Sequence, residues 1–295
     1  MRILPTALAL VAALSLPVAA QAVCPADQDG SGSVDGRDLG FVLGAWGTPG
    51  PSGDVDSSGL VDIQDLLAVL NDWGECPEED FVCGDFLIDE RDGRSYATVG
   101  VGLHCWMADN LNYGVFTEST RPGSVAVDDG VAQRTCYDND PDNCELYGGL
   151  YEWSEVMDFA ASSNSDPSGV QGICPDGWEV PSDAAYQDLE RSLGMAAWEA
   201  DLLDDWRGAP VGALLKDGGG SGFDGLLGGW RDFETGTFKN MGFYGGLWTS
   251  RASTEDPTES YNRGLLDPLI TVGRYRYDAR AGLALRCVEE TLVDD

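Results

Sequence analysis

Basic charge is scarce in this 295-residue chain. It has 17 Lys and Arg against 51 Asp and Glu, for a formal net charge of −34. Nucleic-acid binding needs clustered cations against phosphate, so that function is excluded, and anionic lipid surfaces repel such a chain. Histidine is nearly absent. The single His104 rules out a His₂ or His₃ metal site and an HExxH helix. It also rules out a Ser-His-Asp triad unless His104 itself lies in the site. No Cys-x-x-Cys occurs, which argues against a zinc or dithiol redox centre. Beyond the first 22 residues no apolar run is long enough to span a bilayer.

The chain is not a disordered acidic tail: 43% of it is hydrophobic, with nine Trp. Residues 1–22 read as a signal peptide. Arg2 supplies the basic start, Ile3–Ala20 is apolar, and Ala20-Gln21-Ala22 is a small-residue cleavage site. Pro5 and Pro17 argue against a retained anchor. The expected location is secreted, extracellular or at the cell surface, with no membrane span after cleavage. Eight cysteines, all after this segment, then imply disulfides. Their positions suggest Cys24–Cys76 around one acidic segment, Cys136–Cys144 closing a short loop, and Cys174–Cys287 tying the middle to the end. Cys83–Cys105 remains.

Residues 24–76 contain a repeat. The first copy places Asp27, Asp29, Ser31, Ser33, Asp35 and Asp38 at positions 1, 3, 5, 7, 9 and 12 of a loop. The second copy places Asp54, Asp56, Ser58, Leu60, Asp62 and Asp65 there. Gly32 and Gly59 stand at position 6, and each copy closes with Trp-Gly. Oxygen-bearing side chains at 1, 3, 5, 9 and 12, a backbone carbonyl at 7 and glycine at 6 match the twelve-position calcium loop. Two Ca²⁺ ions are expected, one per copy. Val34 and Val61, at position 8, are expected to pair the two loops across a short β-bridge. Proline and glycine before each loop leave no room for an entering helix, so each unit is a loop followed by a helix.

That duplicated loop–helix pattern resembles the dockerin module. The resemblance implies a noncatalytic, calcium-dependent docking element whose partner is a cohesin-like or other cell-surface protein. Positions 10 and 11, Gly36-Arg37 and Ile63-Gln64, depart from the Ser/Thr pair usual in cellulosomal dockerins. A module of this size buries little apolar surface, so calcium and the Cys24–Cys76 clasp should both hold it.

After a charged linker at 77–82 the composition changes to Trp, Tyr and Gly. Arg94–Val101 reads as a strand and Leu150–Phe159 as a helix. Ser182 caps a helix over Ala184–Leu193, 217–229 is irregular, and Leu283–Val288 alternates as a strand. Several phrases stand out in 83–290, among them Trp106-Met-Ala-Asp-Asn-Leu-Asn, Tyr147-Gly-Gly-Leu-Tyr-Glu-Trp153, Cys174-Pro-Asp-Gly-Trp178 with Pro181-Ser-Asp183, and Leu285-Arg-Cys287-Val. Together they resemble the Fibrobacter succinogenes major paralogous domain. The resemblance implies a C-type-lectin-like or formylglycine-generating-enzyme-like fold and carries no catalytic residues. Cys105 departs from the family pattern, consistent with an added Cys83–Cys105 bridge.

The expected architecture is therefore multidomain. It comprises a signal peptide (1–22), a small all-α duplicated calcium loop–helix module (23–76), a linker (77–82), a disulfide-braced α+β C-type-lectin-like domain (83–290) and a tail (291–295). The expected function is a noncatalytic docking protein with a binding or display domain. The alternative is a carbohydrate-binding or polysaccharide-degrading component of an extracellular complex. Glu152, Glu155, Asp158, Asp224 and Asp232 offer carboxylates, but a glycosidase needs two at a defined separation. Neither Glu-Pro-Asn nor Gln-Pro-Asp, the calcium-dependent sugar tripeptides, occurs. Asp138, Asp140 and Asp142 read as a solvated turn. Trp106, Trp153, Trp178 and Trp248 are expected in the core, and Trp198, Trp206 and Trp230 nearer the surface. Polysaccharide is thus a second candidate partner.

Overall fold

The computed structural model describes residues 24–76, 81–119 and 126–289. The signal peptide, residues 77–80 of the linker and the 291–295 tail lie outside them. Two compact units meet in sequence at Asp80 and Phe81.

The first unit carries two nine-residue helices, Gly36–Gly44 and Ile63–Asn71. Each starts with a reciprocal cap. The Asp35 and Asp62 carboxylates accept from the first-turn amides, while Asp38 and Asp65 accept from the cap residues' own amides. Val42 and Val69 lie on the inner faces, fully buried with Ala26, Val34 and Val61. Cys24–Cys76 closes the unit.

Val34 and Val61 do not pair with each other. Ser33–Val34 pairs instead with Gly74–Glu75, antiparallel. Val61 donates to the Thr48 carbonyl at 3.1 Å and accepts from the Gly47 amide at 2.8 Å. Each loop thus leans on the Trp-Gly closure of the other copy. The helix after each loop delivers its end beside the opposite loop, so the duplication closes on itself with approximate two-fold symmetry. The short strand pair that results is a departure from the expected all-α unit.

The second unit is a disulfide-rich mixed α/β structure. A five-stranded antiparallel sheet runs in the order Phe86–Asp89, Arg94–Val101, His104–Met107, Val288–Glu289 and Trp178–Glu179. A four-stranded antiparallel sheet runs in the order Tyr244–Ala252, Glu259–Leu266, Val272–Asp278 and Asp205–Arg207. The strand Arg94–Val101 and the Ser182 cap, which accepts from Ala185 N at 2.9 Å, lie as the sequence suggests. The helix begins at Asp183 and ends at Ser192. Phe81, assigned above to the linker, packs edge-on against Trp178 with ring centroids 5.6 Å apart.

Two expectations are corrected. Only Trp153–Val156 of the segment 150–159 is helical. Leu150 and Tyr151 are engaged in bridges to Thr135 and Leu283, and Asp158 and Phe159 adopt positive φ, which ends the turn. Leu283–Val288 is not an alternating strand, because every residue in it is buried. Gly282, Leu283 and Ala284 bridge Arg231, Tyr151 and Leu247, and Val288 joins the five-stranded sheet. This segment is a central spine touched on all sides, which removes the reason for polar residues to alternate.

All four disulfides suggested by the cysteine positions are formed: Cys24–Cys76, Cys83–Cys105, Cys136–Cys144 and Cys174–Cys287. No cysteine is free.

Candidate metal centres

Both loops of the first unit gather carboxylates. Oxygens of Asp27, Asp29 and Asp38 lie within 4.8 Å of one another, and so do those of Asp54, Asp56 and Asp65. These are loop positions 1, 3 and 12. Among the described residues no other trio of His, Cys, Asp or Glu converges this closely. Gly32 and Gly59 sit at φ near +83° and +88°, a backbone conformation that disfavours side chains, as the sharp turn at position 6 requires.

The loops hold their acids with backbone amides. Gly32 N donates to Asp27 Oδ2 and Gly59 N to Asp54 Oδ2, both at 2.8 Å. Asp38 and Asp65 are fully buried. Asp38 Oδ1 accepts from Gln28 N and Asp29 N, and its Oδ2 accepts from Asp35 N. Asp65 repeats this with Val55 N, Asp56 N and Asp62 N. Burial opposes ionisation of both, but the surrounding amides outweigh it and hold both carboxyls below the ordinary range. The aspartates at position 12 are therefore anionic anchors at the base of each loop.

The other positions fall differently. Ser31 Oγ donates to the Ser33 carbonyl at 3.1 Å, and Ser58 Oγ to the Leu60 carbonyl at 3.2 Å, so positions 5 and 7 adjoin. Asp35 and Asp62 cap their helices, accepting from Arg37 N and Gln64 N at 2.7 and 2.8 Å. The loops are not identical. Asp27 Oδ1 accepts from Ser31 N at 3.0 Å, whereas Asp54 Oδ1 is enclosed and has no donor. A carboxylate oxygen left unpaired inside a ring of acids fits a cation, since burying it otherwise costs free energy. Hard oxygen donors alone also suit Ca²⁺ or Mg²⁺ over a soft metal.

In the second unit four of the five acids singled out as carboxylates from sequence serve other groups, and Asp158 is exposed. Glu152 accepts from Ala126 N and pairs with Arg231 at 3.2 Å. Glu155 accepts from Gln133 N at 3.0 Å, and burial raises the carboxyl pKa of both. Asp232 pairs with Lys239, whose ammonium lowers the Asp232 pKa to about 2. Asp224 accepts from Gly218 N. Asp140 caps the helix Pro141–Tyr147, so this part of the turn is helical rather than merely solvated. His104 is fully buried, its Nε2 3.0 Å from Asp166.

A buried ion network escaped the sequence reading. Asp183 accepts from Arg251, Arg263 and Arg274 at 2.6–2.9 Å, and Glu190 from Arg207 and Arg263 at 2.6 Å. Burial pushes the Asp183 carboxyl up, but the guanidinium groups overcome it and hold it well below the carboxylate range. Two signals pointed toward it: Pro181-Ser-Asp183, which read as a helix start, and the Arg274–Arg286 cluster, which read as a salt-bridged strand face. Trp106, Trp178 and Trp248 are buried as expected, Trp153 is partly so. Trp198 is 67% exposed, while Trp206 and Trp230 are only half-buried. Among the described residues no helix is long and apolar enough to cross a membrane.

No curated protein and no solved structure matches the chain. The family model described as the Fibrobacter succinogenes major domain matches residues 99–289. That stretch contains the four-stranded sheet, the five-stranded sheet from Val99 onward, the spine and the ion network, and so the chain belongs to the Fibrobacter succinogenes major domain family.

Proposed function

We propose that this is an exported, noncatalytic protein with two modules. The first is a dockerin-like element that binds two Ca²⁺ ions and docks to a cohesin-like or other cell-surface protein. The second is a binding or display domain with a C-type-lectin-like plan. The observation that carries this reading is the pair of carboxylate trios at identical positions of a duplicated loop, one with an enclosed oxygen lacking a donor. In each loop Asp at positions 1, 3 and 12 would ligate through side chains, with the position 5 hydroxyl and position 7 carbonyl beside them. Bound calcium would supply charge neutralisation, so the ion would act as a folding ligand.

Docking is supported by apolar exposure. Phe41, Leu43, Trp46, Ile63, Leu67 and Trp73 are 39–56% exposed on a unit with a small core. Apolar side chains concentrated this way on a small module mark a partner surface. The carbohydrate-targeting alternative is supported by a polar groove in the second unit, taken up below.

The test is calcium titration of the chain lacking residues 1–22, followed by calorimetry and far-UV circular dichroism. Two ions should bind and helical signal should rise. Asp38→Ala and Asp65→Ala should each remove one site. No binding, or no change on chelation, would sink the calcium reading. Capture of a cohesin only in calcium would support docking, and capture in chelator as well would count against a calcium-dependent module.

A further inference from the structure

We propose that the second unit binds a neutral saccharide chain in a polar groove running past Leu226. This rests on reading that unit as a binding domain. Two cavities, of about 500 and 380 Å³, share Leu226 as a wall. Tyr147 lines the larger, and its neighbours Leu146 and Gly148 line the smaller. They are two stations along one surface, a shape suited to successive sugar rings rather than to one compact ligand.

The walls carry fixed donors and acceptors: their two cations, Arg94 and Lys216, are each paired, and Asp109 and Asp217 add further carboxylate acceptors. Arg94 makes a bidentate contact with Glu145 at 2.7 and 2.8 Å in the smaller cavity. Lys216 stands 3.9 Å from Asp267 in the larger and donates to the Leu269 carbonyl at 2.8 Å. Hydroxyl groups donate and accept, so they suit such pairs. An anionic ligand would need an unpaired positive charge, which these walls, with two cations against four carboxylates, do not present. Asn112, 5% exposed, lies in the wall with its Nδ2 donating to Glu145 and its Oδ1 enclosed without a donor. An unsatisfied acceptor beside a cavity is the group that a ligand hydroxyl relieves. No trio of carboxylates in the groove converges as in the metal loops, so a cation is not the ligand these walls favour.

The site is held rigid. Asn110 accepts from Arg286 Nε and donates to the Tyr147 carbonyl, both at 2.8 Å. The Cys136–Cys144 bridge anchors the helix that ends at Tyr147. Fixed polar groups bind without a large ordering cost. Trp106-Met-Ala-Asp109-Asn110-Leu-Asn112 therefore does more than fill the core: its polar members face the groove.

The experiment is calorimetric titration of the chain lacking residues 1–22 with cellohexaose, xylohexaose, mannohexaose and chitohexaose, in calcium and in EGTA. At least one hexaose should bind, equally in both conditions. Arg94→Ala and Tyr147→Ala, one in each cavity, should each weaken binding by about tenfold or more, with the thermal unfolding of the second unit retained. Should either variant unfold, Leu226→Trp, which narrows both cavities, replaces it and should abolish binding. No binding of any hexaose, or undiminished binding in the variants, overturns the proposal. Loss in only one cavity overturns the single groove. Binding lost in EGTA would place sugar at the calcium loops instead. Calcium stoichiometry is measured separately, so failure here leaves the docking reading standing, and the reverse.

Discussion

At Asp183 one fully buried carboxylate meets three guanidinium groups. Such a cluster contributes little when intact and is costly to break, because its partners remain buried and charged. Asp183→Asn should lower unfolding stability by about 3–5 kcal/mol, read from chemical denaturation of the second unit. Loop asymmetry gives a milder residue-scale expectation. Arg37 lies 3.9 Å from Asp29 and is 77% exposed, with no counterpart at Gln64. Its charge opposes a cation in the first loop only. Arg37→Ala should tighten the weaker of the two calcium steps by no more than about fivefold, since exposed charges act weakly through solvent. Tightening of the stronger step instead would mean that the first loop is not the weaker site.

At the scale of the element, each loop and its helix share one aspartate. Asp38 and Asp65 brace the loop from below and complete the helix cap. Their folded pKa values lie below the ordinary 3.8. Their contribution to stability is therefore complete above that value and is lost as pH falls through the lowered folded values. Acid titration without calcium should melt the two helices below about pH 4. In Asp38→Asn the first helix should lose this acid step, and unchanged titration would show that the carboxylate is not the cause. The Ser182 cap was legible because capping is local. Asp35 and Asp62, in contrast, read only as loop position 9, and their reciprocal caps with Asp38 and Asp65 emerged from the structure. The Leu150–Phe159 periodicity misled because Leu150 and Tyr151 answer to Thr135 and Leu283, which helical spacing cannot register.

Across the whole molecule, the two units have separate cores and different fastenings. The first has a handful of valines, one disulfide and two acidic loops. The second has two apolar clusters and three disulfides, of which Cys174–Cys287 encloses the longest stretch of chain. Calorimetric unfolding should show two transitions, and chelation should lower only the first. Reduction should destabilise both, with about 2–5 kcal/mol lost for each native bridge. A single transition that moves as a whole on chelation would contradict independent units.

Sequence by itself determined the loop positions, the Ser182 cap, the cysteine partners and the family phrases. In each case the deciding residues are neighbours in the chain, or one spacing leaves few ways to satisfy them. Tertiary structure decided the rest. It crossed each loop onto the other copy's Trp-Gly closure rather than pairing Val34 with Val61. It placed Leu283–Val288 between surrounding elements, where alternation has no function. It brought Arg251, Arg263 and Arg274 onto Asp183 and set Arg94 and Asn112 in one wall with Glu145. Those partners are separated by tens of residues. Their meeting depends on strand order and on where chains turn, which long-range packing settles and local spacing does not encode.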